Sequence, residues 1–170
     1  MGLTDEMARA RPRPDLNSVV WLIWHMARSE DVALNTVVAG RPQVLEVDGW
    51  ADRLGVNRLD IGTGMSEEEV GEFTDRVNVA ALRSYRAAVG RRTREVIGGL
   101  DVEILQQPAP LNRIEQAFAD GAVEAGGRWV QDFWRGKSYG FFLWLGTGHS
   151  FMHLGEANLI RSLVGGSRGR

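Results

Sequence analysis

Asn17-Ser18-Val19-Val20-Trp21-Leu22-Ile23-Trp24-His25-Met26-Ala27-Arg28-Ser29-Glu30-Asp31 is helical by its spacing. Apolar residues at Val19, Val20, Leu22, Ile23 and Met26, continued to Val37 and Val38, suit a period of 3.6 rather than 2. Asn17 or Ser18 can cap the start, and Gly40 and Pro42 end the run. His25 shares one stripe with Trp21, Leu22, Ser29 and Val32, so an imidazole is set on a face that should point inward.

The other two histidines of the chain, His149 and His153, stand four residues apart in a second helical stretch. At 100° per residue they share a stripe with Leu145, Glu156, Ile160 and Leu163. A single core histidine ordinarily donates one N–H to a carbonyl and does nothing more. Three such residues need three separate partners, whereas one divalent ion would satisfy a nitrogen on each, and the i, i+4 pair is a spacing that metal-binding helices use. Three neutral ligands also leave coordination positions open, as catalytic sites do. Zinc is the first expectation and nickel the second, because imidazole suits both. Glu156 is the nearest carboxylate, a candidate catalytic base or a support for a ligand, although a glutamate on a bundle face commonly pairs with an arginine. No glutamate follows the first histidine of the pair as metalloproteases require, so peptide hydrolysis has no specific support. Trp21, Trp24 and Trp144 are close enough in sequence to line an approach to the histidines.

The remaining chain extends the helical pattern. Ser66-Glu67-Glu68-Glu69 is a capping box, and the apolar spacing after it predicts one long helix ending at Gly98-Gly99. Residues 41–65 read as a long connection with one helical turn near Trp50–Leu54, of the kind that often covers a site. Weaker helices are expected at residues 114–123 and Trp129–Trp134, separated by Gly126-Gly127, and a last long one over residues 138–164. Short segments at residues 44–47 and 102–105 could be extended but are too isolated for a sheet. The fold class is therefore all-α, a bundle formed as a single domain over residues 1–170.

Composition narrows the partners. With 170 residues and 44% hydrophobic content, the chain can bury a core, and with no cysteine any metal must bind nitrogen or oxygen. A net charge of −2 with dispersed Lys and Arg offers no basic face for nucleic acid. Arg91, Arg92 and Arg94, and Arg168 and Arg170 at the tail, read as solvated faces and ends. No run is long enough to span a membrane and the start lacks a signal peptide's apolar stretch, so a cytoplasmic protein is expected. Gly62-Thr63-Gly64 lacks the lysine and helix start of a phosphate loop.

The helix around His25 and the segment His149-Ser150-Phe151-Met152-His153-Leu154-Gly155-Glu156, in that order, resemble the DinB/YfiT-like superfamily of metal-binding four-helix bundles. The segment from Gly49-Trp50-Ala51-Asp52-Arg53-Leu54-Gly55 through Gly62-Thr63-Gly64-Met65 is similar to members as well. The resemblance implies a DinB-like four-helix-type bundle in which His25, His149 and His153 hold a divalent metal. It further implies activity of the kind found in thiol S-transferases that use mycothiol or bacillithiol, with a low-molecular-weight thiol and an electrophile as small-molecule partners. A hydrolase-like reaction, a non-catalytic metal-binding or stress-response protein, and a structural helical dimer are the other readings. The family's first helix is expected to be missing or replaced here, with residues 114–134 as the fourth packing element, a partner subunit over the exposed face, or a true start site further upstream. An uncovered apolar groove would then make the protein a homodimer.

Overall fold

The computed structural model describes residues 3–47 and 49–165, so Arg168 and Arg170 lie outside the described residues. A short helix α1 (Asp5–Arg9) precedes α2 (Val19–Asp31), which starts where the Ser18 hydroxyl accepts from the Trp21 amide at 3.0 Å. Nearly every residue of α2 is buried. The run continues to Ala39 as predicted, but as a π-helical stretch over Val32–Ala39 rather than as α-helix. The turn α3 (Trp50–Leu54) forms as expected, while Val44–Glu46 and Val102–Gln106 are 3-10 turns instead of extended segments.

The capping box is formed in both directions: Ser66 Oγ accepts from the Glu69 amide at 3.2 Å, and Glu69 accepts from the Ser66 amide at 2.7 Å. The helix it starts, α4 (Glu67–Arg76), stops far short of Gly98. Val77 turns extended, and Asn78 caps α5 (Val79–Gly98) by accepting from the Ala81 amide at 3.1 Å. Val77 and Val79 are both buried, so the apolar spacing runs through this break and hides it. The chain then forms α6 (Leu111–Ala119), α7 (Trp129–Trp134), α8 (Tyr139–Thr147) and α9 (His149–Leu163). The single helix expected over 138–164 is thus divided at Gly148. The Trp144 ring lies against that residue, close enough that a Cβ there would be 2.5 Å from the indole.

The fold is an all-α, four-helix-type bundle organised around α2. This helix packs against α5 and α4 and against α8 and α9, while its π continuation packs against α5, α6 and α8. Trp24, fully buried, meets Phe73 and Tyr85 on the α4 and α5 side. Burial of one such side chain contributes about 1.5–3 kcal/mol. Among the described residues there is no strand, only an isolated bridge between Pro108 and Ser138. No helix among them is long and apolar enough to cross a membrane.

A buried polar network fixes the junction of α2 and the π stretch. Asp31 accepts from Tyr85 at 2.7 Å, Asn35 at 2.7 Å, the amides of Val44 and Leu45 at 2.8 and 3.0 Å, and Arg28 at 3.2 Å. Arg28 in turn donates through Nε to the Leu59 carbonyl at 3.0 Å and through Nη2 to Gln43 at 2.6 Å. One guanidinium therefore ties the connecting loop to α2.

Residues 114–134 do not take the place of a further bundle helix along α9. Instead α6 packs on the π stretch, and Trp134 of α7 packs on Phe118 and Phe142, at the far end of α2. The outer face of α9 stays exposed at Phe151, Met152, Leu154, Leu159 and Leu163, so Leu163 does not join the inward stripe predicted for it.

Candidate metal centre

His25 leaves the buried face of α2, and His149 and His153 leave the first turns of α9, so the packing of α9 on α2 closes the three rings together. Ring centroids are 4.6 Å apart for His25 and His153, 5.3 Å for His25 and His149, and 4.5 Å for the α9 pair. One ligating atom from each can be chosen so that all lie within 4.8 Å of one another. The sequence-predicted triad is assembled.

The neighbours fix which nitrogen faces inward. His25 Nδ1–H donates to the Ile61 carbonyl at 2.6 Å, which leaves Nε2 with its lone pair. Trp21 stacks on the same imidazole, 4.9 Å between centroids and 6° from parallel. His153 Nδ1–H donates to Glu156 Oε2 at 3.1 Å, and the other Glu156 oxygen accepts from Asn17 at 2.9 Å. Both histidines thus follow the arrangement in which a ligand's second nitrogen is held by a carbonyl or carboxylate.

The Nε2 atoms of His149 and His153 stand 3.2 Å apart. Two imidazole nitrogens on one tetrahedral zinc, with Zn–N bonds of about 2.0–2.1 Å, would be separated by roughly 3.3 Å. His149 Nδ1 is buried without a protein hydrogen-bond partner, so this ring has its alternative nitrogen uncommitted. Burial pushes His25 down to about 3, helped by the two facing imidazoles and opposed by the Ile61 carbonyl. Burial and His153 take His149 down to about 4. Both are therefore neutral at pH 7, the form a metal requires. The donor set and its spacing, with His25 and His149 neutral, fit a divalent ion.

The loop that offers the Ile61 carbonyl is held on both sides. Ile61 N donates to the Ala122 carbonyl at 2.9 Å, and Asp60 accepts from Arg58 at 2.6 Å and from the Gly62 amide at 2.8 Å. Two residues on, Gly64 meets Gly126 backbone to backbone: a Cβ on Gly64 would stand 2.3 Å from the Gly126 carbonyl carbon. Only a pair of residues without side chains can cross this closely.

Above the histidines opens a cavity of about 310 Å³, lined by His25, His149 and His153 together with Ser29, Ile61, Thr63, Trp129, Val130, Phe133, Trp134, Phe141, Trp144 and Leu145. Of the tryptophans proposed to line the approach, Trp144 is in this wall and Trp21 buttresses His25. Trp24 is not involved, since it faces Phe73 and Tyr85. Sequence reasoning missed Ile61, whose contribution is a backbone carbonyl, and the α7 aromatics, whose only signal was the cluster Trp129, Phe133 and Trp134.

The family profile of the DinB superfamily matches residues 1–157. The chain belongs to the DinB superfamily. Its described fold is similar to that of a conserved protein from Enterococcus faecalis known from a crystal structure, with a TM-score of 0.67 and 21% identity over 96% of this chain and 85% of that one. At that identity the likeness concerns the fold alone. No match is found among curated proteins. In this DinB-superfamily chain, then, the three-histidine group is the site to which a function can be attached.

Proposed function

We propose that the protein is a divalent-metal-dependent enzyme, a thiol S-transferase of the mycothiol or bacillithiol type. The observation that carries this reading is the convergence of three imidazoles on the floor of an open cavity. His25, His149 and His153 would hold zinc or nickel. A bound ion supplies a lowered pKa to a thiol at the open side, making thiolate available at neutral pH. The Ile61 carbonyl and Glu156 keep the ligating nitrogens aimed, and the aromatic walls position the electrophile and exclude water. In the reaction the thiol proton leaves to solvent, a sulfur–carbon bond forms, and the electron pair of the attacked bond moves onto the leaving group or the adjacent acceptor.

Titration of zinc- and nickel-loaded protein with mycothiol and bacillithiol tests the proposal. One thiol per metal should bind with release of about one proton. Absence of thiol affinity at every metal loading overturns it. The rival, a metal-binding or stress-response protein without turnover, draws on Glu156: both its oxygens are engaged, by His153 and Asn17, which leaves it a positioning group rather than a free base. That rival gains if metal binds tightly and thiol does not.

The reading includes a homodimer formed through the outer face of α9. Phe151 is 76% exposed, and Met152, Leu154, Leu159 and Leu163 are exposed with it. The charged residues of α9, Glu156 and Arg161, are half-buried, so the exposed part of this face is mainly apolar and suits a second copy of itself. Light scattering should give twice the chain mass, reduced to one by Phe151→Asp with Leu159→Asp. A monomeric mass for the unaltered protein contradicts the dimer.

A further inference from the structure

The cavity above the histidines is chemically narrower than thiol transfer alone requires. Trp129, Phe133, Trp134, Phe141 and Trp144 supply five aromatic side chains to its wall, and no lining residue carries a carboxylate, ammonium or guanidinium. Apart from the histidines and the indole N–H groups of the tryptophans, only Ser29 and Thr63 bring polar side-chain atoms. Ser29 stands one turn after His25 on α2, is 1% exposed, and its hydroxyl has no hydrogen-bond partner. Buried hydroxyls are almost always paired, so an unpaired one in a cavity wall points to a partner that arrives with a ligand.

From this wall we infer that the cavity binds a flat, uncharged aromatic molecule bearing one carbonyl or hydroxyl oxygen, which pairs with Ser29, and that Ser29 determines specificity for the electrophile. The role as electrophile rests on the thiol-transferase reading; the binding does not. The volume lies at the lower end of the range for small-molecule sites, roughly 300–1,000 Å³, and suits one or two rings. Tryptophan and phenylalanine rings at several orientations give stacked and edge contacts to such a molecule. In the metal-free protein a carboxylate would enter without a counter-charge in the wall, a costly transfer. The cation beside this wall, Lys137, rests over the rings of Phe133 at 4.5 Å and Phe141 at 5.5 Å and is not itself among the lining residues.

Calorimetric titration with three probes of one shape, 1-indanone, indane and indane-1-carboxylate, tests the inference in metal-free protein, where no ion at the histidines can draw an oxygen of the probe. Indanone should bind about tenfold more tightly than indane, the worth of one neutral hydrogen bond, and the carboxylate least. Ser29→Ala should remove the indanone advantage while leaving indane affinity, melting temperature and zinc content unchanged, since it deletes a hydroxyl that bonds nothing in the protein. Equal binding of indanone and indane, an advantage that survives Ser29→Ala, or no binding of any probe overturns the inference. Tightest binding of the carboxylate also overturns it and transfers recognition to Lys137. Neither thiol nor turnover enters the measurement, so failure of the thiol titration leaves its result intact.

Discussion

Replacing His25 by alanine is expected to abolish stoichiometric zinc or nickel binding, read by elemental analysis of the purified protein beside His153→Ala. In the proposed site His25 is the donor that α2 contributes, and without it the remaining two come from one helix and no longer enclose an ion. Loss of a supporting hydrogen bond around a metal ligand costs about 10–100-fold in affinity, and loss of the ligand itself should exceed that. Circular dichroism and the melting temperature would show whether the fold persists, as removing a neutral ring stacked on Trp21 should allow. Unchanged metal content in both variants would mean that the histidines meet by coincidence.

A larger effect on stability is expected from Asp31→Ala. This carboxylate is wholly buried and receives five donors, among them Arg28 and two backbone amides. Its removal strands a buried guanidinium, for which breaking a buried pair costs about 3–5 kcal/mol, and orphans the Val44 and Leu45 amides, each worth roughly 1–3 kcal/mol. Since whole domains are stable by about 5–15 kcal/mol, the variant should unfold at far lower urea or fail to fold. Asp31→Asn, which keeps an acceptor of the same shape, should fall between. A midpoint within about 1 kcal/mol of the parent protein would show that the network contributes little. Because Arg28 also holds Leu59, two residues before the Ile61 carbonyl, damage to this network should reach the orientation of His25.

The sequence carried the helices and the triad because both depend on side-chain spacing. His149 and His153 had to share a face, and the Ser66 and Glu69 pair had to cap a helix. The breaks were hidden for the converse reason: neither Val77 nor Gly148 interrupts the apolar periodicity, and the π stretch from Val32 to Ala39 is buried almost all round, so no one-sided stripe reveals a changed pitch. The cavity wall was beyond reach, because α7 meets α8 and the histidines only through tertiary packing. The Ile61 carbonyl leaves no mark in the identity of any residue.

The crossing of Gly64 and Gly126 ties two functions to one fulcrum. On one side the chain runs back three residues to the carbonyl that aims His25; on the other it runs forward three to Trp129 in the cavity wall. A side chain introduced at either glycine would push both outward together, so the aim of His25 and the shape of the cavity would change in concert. Substitutions at Phe133, Phe141 and Trp144, by contrast, would reshape the cavity from side chains that stand apart from that pivot.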